Sequence, residues 1–181
     1  MGRYVVLLRA VNVGRTNRIS MAGLREALSH TRFADVTTLL QSGNIVLSAE
    51  MTESEVKNVL EDVIYDQFHL KVEVLVRRAA AIQGLVASNP FSIDSAETAN
   101  MYVTFLQQEI DEDLVRSQVN TDKREDDYVV RGKEVYIHCN GPYHLTNLGN
   151  AFWERVGRCY ATTRNWSTLT RIAELVVDGS D

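Results

Sequence analysis

The chain has 181 residues, 45% of them hydrophobic and 24% charged, the make-up of a globular protein with room for one large domain or two small ones. A formal net charge of −5 and a pI near 5.4 argue against the broad basic surface that non-specific nucleic-acid binding requires. Two prolines leave little room for a disordered linker, and Cys139 and Cys159 form neither a CxxC pair nor a disulfide framework.

The first element is the apolar run Tyr4 to Val11, which reads as a strand buried on both faces because Val5/Leu7 and Val6/Leu8 are apolar alike. That run is too short for a signal peptide or a membrane span, and Arg9 interrupts it. The expected location is the cytoplasm. Ser20 then caps a helix with Met21, Leu24 and Leu28 on one face. The stretch "DVTTLLQSGNIVLSA" predicts two strands around a turn at Ser42-Gly43. Thr52 and Glu55 make a capping box for a helix striped by Val56, Val59, Leu60, Val63, Ile64 and Phe68. A strand over Lys71 to Val76 closes a βαββαβ, ferredoxin-like order in residues 1–78.

A short helix over "RAAAIQGLVA" leads to a break at Asn89-Pro90. Met101 to Leu106 reads as a strand, "DEDLVRSQV" as a helix with an acidic first turn, and "YVVRGKEVYIH" as a hairpin turning near Gly132. Helices follow around Gly149 to Val156 and from about Asn165 to Val177, so residues 79–181 read βαββαα. The fold class is α+β: a ferredoxin-like subdomain, then a second subdomain packed on it as one structural unit. A two-layer unit leaves one sheet face bare, yet the first strand is apolar on both. Either the second half or a second subunit is expected to cover it.

The ferredoxin-like strand order brings the exit of the first strand and the turn between strands two and three to one edge. Arg9, Asn12, Arg15, Asn17 and Arg18 then stand beside Gln41, Ser42 and Asn44. Guanidiniums and amides on a glycine-loosened backbone suit a phosphate or carboxylate, and the helix start after Ser20 adds partial positive charge. The plainer reading stays open, in which the arginines are solvated or paired and the asparagines bond their own loop. Elsewhere, His138, Cys139 and His144 cluster in "HCNGPYH" without any zinc-ligand spacing, so no metal or other cofactor is expected. Nucleophile elbow, Walker loop and H-E-x-x-H motif are all missing, which leaves catalysis unassigned. The acidic clusters 111–113 and 125–127 read as a helix start and a solvated turn.

The blocks "LLRAVNVGRTNRISMAGLREAL", "QSGNIVLS", "NPF" and "ATTRNWSTLTRIAELV" resemble those of a widespread bacterial family known as domain of unknown function 1697. That resemblance runs from about Tyr4 to Val176 and implies an α+β protein with ferredoxin-like subdomains, but no reaction. The chain departs from the family pattern at Arg15, where a glycine is usual, and at Thr146-Asn147, where a Ser-Lys pair is usual. It also draws attention to Thr162, Thr163, Arg164 and Asn165 at the start of the final helix, as N-capping residues or as a second anion site. Three functions stand against one another. The first is binding of a small anionic ligand; the second is an interaction or homodimerisation module, monomer or homodimer in solution. The third is RNA binding, which shares the strand order but here lacks aromatics on the third strand.

Overall fold

The structure, a computed structural model, describes residues 1–91, 97–119 and 126–177. Its backbone divides into two units, Met1–Ala87 with the chain from Arg171 on, and Ser88–Thr170.

The first unit contains β1 (Gly2–Leu8), α1 (Met21–Ser29), β2 (Ala34–Leu39), β3 (Asn44–Ala49), α2 (Glu53–Phe68), β4 (Val74–Arg78) and α3 (Ala79–Ala87). Its antiparallel sheet runs β2-β3-β1-β4, the ferredoxin-like order. Tyr4, Val6 and Leu8 meet Leu24, Leu28, Val56, Leu60 and Ile64 in a core under α1 and α2. Period-2 alternation puts Arg3, Val5 and Leu7 on the other face, where Val5 and Leu7 are fully buried too. Within the unit, α3 packs on β1 and β4, and the Arg3 guanidinium donates to the Leu175 carbonyl at 3.1 Å. Both helix starts follow the sequence. Ser20 accepts from the Gly23 amide, and Thr52 with Glu55 completes the capping box, whose hydrogen bonds hold the Glu55 carboxyl below its ordinary range.

The second unit contains β5 (Met101–Leu106), α4 (Glu112–Gln118), β6 (Asp127–Arg131), β7 (Glu134–His138), α5 (Asn150–Gly157) and β8 (Ala161–Asn165). Then α6 (Trp166–Val177) begins in this unit and ends in the first. The sheet order β6-β7-β5-β8 repeats the ferredoxin-like arrangement. The strand β8 falls where the sequence suggested only the lead into a helix, so the order is βαββαβ followed by α6. Leu106, Val135, Ile137, Trp153 and Ala161 form the core under its helices.

The same backbone bonds recur in both units. Leu8 N donates to Gly43 O at 2.8 Å and Leu106 N to Lys133 O at 2.8 Å. Arg9 N reaches Glu73 O at 2.9 Å, and Gln107 N reaches Tyr160 O at 3.0 Å. The first amide of each last strand is capped by a glutamate from the preceding helix, Val74 by Glu61 and Ala161 by Glu154, both at 3.2 Å. Such caps blunt an edge that would otherwise template another strand. In this register Tyr4 corresponds to Tyr102, Val6 to Thr104, Val76 to Thr163 and Arg77 to Arg164.

Candidate functional site

The loop 9–20 and the turn 40–43 do meet at one edge, and Asn12 is the residue that joins them. Its side-chain amide donates to Gln41 O at 2.8 Å and to Ile19 O at 2.9 Å, while its Oδ1 accepts from Ile19 N at 2.9 Å. Asn12 N bonds Asn17 O at 3.0 Å, Thr16 N bonds Val13 O at 3.2 Å, and Asn17 Nδ2 reaches Ala10 O at 3.1 Å. The result is a small hairpin finger with Gly14 and Arg15 at its tip. Ala10, Asn12 and Asn17 all have φ near +50°; asparagine tolerates that conformation far better than other non-glycine residues, which explains its use twice here. On the turn side Gly43 has φ +74°, and a Cβ there would come within 2.6 Å of Val11 and 2.7 Å of Leu8. Asn44 is buried and donates to Leu39 O at 2.9 Å and Ser42 Oγ at 3.1 Å.

Thus the asparagines Asn12, Asn17 and Asn44 are turned inward as scaffold. Arg15, Arg18, Gln41 and Ser42 are exposed, and Arg9 is half-buried at the base of the finger. Val13 and Leu40 add exposed apolar surface to the same edge. A cavity of about 580 Å³ lies between His30, Arg32, Glu50 and Glu55.

Thr163, Arg164 and Asn165 belong to the second unit and do not act together. As consecutive strand residues they alternate across the sheet. Arg164 is buried on the face away from the helices, donating to Thr162 Oγ1 at 2.7 Å and Thr163 O at 2.9 Å; burial brings its guanidinium down to about 10, so it stays charged at neutral pH. Its counterpart Arg77 makes the same bond to the preceding carbonyl, Val76 O, at 3.0 Å. Asn165 caps α6, accepting from Thr168 N at 3.0 Å.

Thr163 faces α5. It donates to Asn150 Oδ1 at 2.6 Å, so the 2.7 Å contact with Thr104 is donated by Thr104. Beside this pair stands Tyr143, its ring 4.4 Å from that of Tyr102. The Tyr143 hydroxyl is buried and has no hydrogen-bond partner among the described residues. Burial pushes the phenol above its ordinary value, with Cys139 and Tyr102 adding to the rise; Thr163 is near enough to oppose it but is not placed to bond the oxygen. Asp126 braces the long connection 139–149, accepting from Asn140 N at 2.8 Å and Thr146 Oγ1 at 2.6 Å. It is therefore a structural brace rather than part of a solvated turn, while Glu125 lies outside the described residues. Sequence reading singled out Thr163 but missed Tyr102, Thr104, Tyr143 and Asn150. No motif marks them: the register of β5 against β8 sets Thr104 opposite Thr163, while Tyr143 comes from the connection 139–149 and Asn150 from the start of α5.

Among the described residues no group of three or more His, Cys, Asp or Glu side chains is placed to hold a metal ion, and no helix is long and apolar enough to cross a membrane. No curated protein matches the chain. The solved structure of a conserved bacterial protein, SP0830 from Streptococcus pneumoniae, is similar at a TM-score of 0.75 and 22% identity, covering 97% of this chain and 98% of that one; at that identity the likeness establishes the fold alone. Residues 1–136 match the family described as protein of unknown function DUF1697, and the chain belongs to that family.

Proposed function

We propose that the chain binds a small oxyanion, a phosphate or carboxylate group, at the edge formed by the finger 9–20 and the turn 40–43. Arg15 and Arg18 would contact the anion, Gln41 and Ser42 would add hydrogen bonds, and Arg9 would set the charge at the base. Asn12, Asn17 and Asn44 position the loop. The observation that carries this reading is the Asn12 amide, which ties finger and turn into one piece. Guanidiniums presented from a fixed backbone lose less freedom on binding than those of a free loop. A thermal-shift series with inorganic phosphate, pyrophosphate, nucleotides and sugar phosphates tests it. Stabilisation that disappears in an Arg15→Ala/Arg18→Ala variant is the expected result; no stabilisation by any anion, or one that the double variant retains, removes the proposal.

A second reading, an interaction or homodimerisation surface at the same edge, draws on Val13 and Leu40, exposed by 63% and 46%. Light scattering distinguishes it. A concentration-dependent dimer that Val13→Asp dissociates supports this reading, and a monomer at all concentrations excludes the homodimer.

A further inference from the structure

We infer that the second unit carries its own oxyanion site, built on Tyr143, Asn150 and the Thr104–Thr163 hydroxyl pair. The two units differ in residue type at matched sheet positions. At the register where Val6 faces Val76 in the first sheet, Thr104 faces Thr163 in the second. Thr104 is fully buried. A polar pair in place of a valine pair gains the core nothing, because a buried hydroxyl needs a partner that a methyl does not.

What the pair does is orient Asn150. Thr104 donates to Thr163, and Thr163 donates to Asn150 Oδ1. Accepting through Oδ1 turns the two N–H groups of Asn150 away from the threonines. Asn150 opens α5, whose N-cap is Gly149 with no side-chain cap, whereas the corresponding start of α2 has the full capping box. The Tyr143 phenol is a further buried donor without an acceptor among the described residues, stacked on Tyr102. Phenol O–H and amide N–H₂ are all donors, and Asn150 stands at the positive end of α5. A ligand that only accepts hydrogen bonds meets them, and a carboxylate or phosphate oxygen has that character. The connection that supplies Tyr143 spans 139–149 where the first unit needs only 50–52, and Asp126 and Thr146 hold it in place.

Calorimetric titration with inorganic phosphate and with acetate tests the site in an Arg15→Ala/Arg18→Ala background, so that the finger contributes nothing. Phosphate or acetate is expected to bind, with an affinity at least tenfold weaker after Tyr143→Phe, which removes one oxygen and leaves the packing intact. Asn150→Asp keeps the acceptor for Thr163 but replaces the donor with a negative charge, and is expected to abolish binding. The two anions separate a phosphate ligand from a carboxylate ligand by which binds more tightly. Absence of binding by both, or equal affinity in the Tyr143→Phe variant, overturns the inference.

Discussion

Between β1 and α1 the first unit builds the bonded finger 9–20, and the second unit makes the same step with 107–111. Between β7 and α5 the second unit inserts 139–149, and the first unit makes that step with 50–52. Around these differences the two sheets share strand order, hairpin anchor and glutamate-capped edge. Since the shared bonds close the fold in both, neither long connection is needed to close it in either. Chain beyond what the scaffold requires is where binding residues collect, and each unit has lengthened a different end of its sheet.

The largest expected effect breaks this comparison at the finger. Asn12→Gly keeps the positive φ but removes three side-chain hydrogen bonds, and is expected to cost about 3 kcal/mol in urea unfolding, at ~1 kcal/mol for each bond. An unchanged midpoint would mean the finger is as dispensable as its short counterpart. Next comes Thr163→Val, which leaves Thr104 and Asn150 without their partner and is expected to cost about 2 kcal/mol. The double variant Thr104→Val/Thr163→Val restores the first unit's valine pair and should recover about half of that loss, since Asn150 stays without its donor. Failure to recover would show that the hydroxyls stabilise the fold rather than serve a site.

Glu61→Ala and Glu154→Ala sharpen the likeness instead, each expected to cost about 1 kcal/mol through an uncapped edge amide. Markedly unequal costs would set the two edges apart. Smallest is Tyr143→Phe, which removes an unpaired buried hydroxyl and should raise Tm by about 2–4 °C, the shift that ~1 kcal/mol gives a chain of this size. Because the folded-state phenol lies above its ordinary value of 10.0, the fold favours its protonated form. That contribution is intact below pH 10 and is lost as pH rises beyond it, so the variant's advantage should widen there. Arg164 acts in the opposite sense in the same window. Burial brings its folded value down to about 10, below the ordinary one, and that burial penalty is relieved as pH climbs past it. Comparing Tyr143→Phe with the unchanged chain cancels that effect.

Much of the first unit was legible because its signals are local and agree: a capping box, a doubly apolar strand, a glycine turn. The convergence of loop and turn followed from topology alone. Which partner each asparagine takes was not legible, since an amide in a loop is equally suited to a ligand, to water or to a backbone carbonyl. The strand β8 was hidden by composition: "ATTRN" has two threonines and an asparagine, residue types shared by strand edges and helix caps. Thr162 and Thr163 are β-branched, which was the available signal. Tyr143 carried none, because its burial depends on a connection whose path is set by Asp126.

The helix α6 makes the first unit discontinuous in sequence, since the chain leaves it after Ala87 and re-enters it at Arg171. A gene cut once near residue 87 would therefore separate Arg3 from the Leu175 carbonyl that it bonds. Excising or swapping either unit requires two junctions instead of one, and inheritance of the pair as a single cassette is the simpler route.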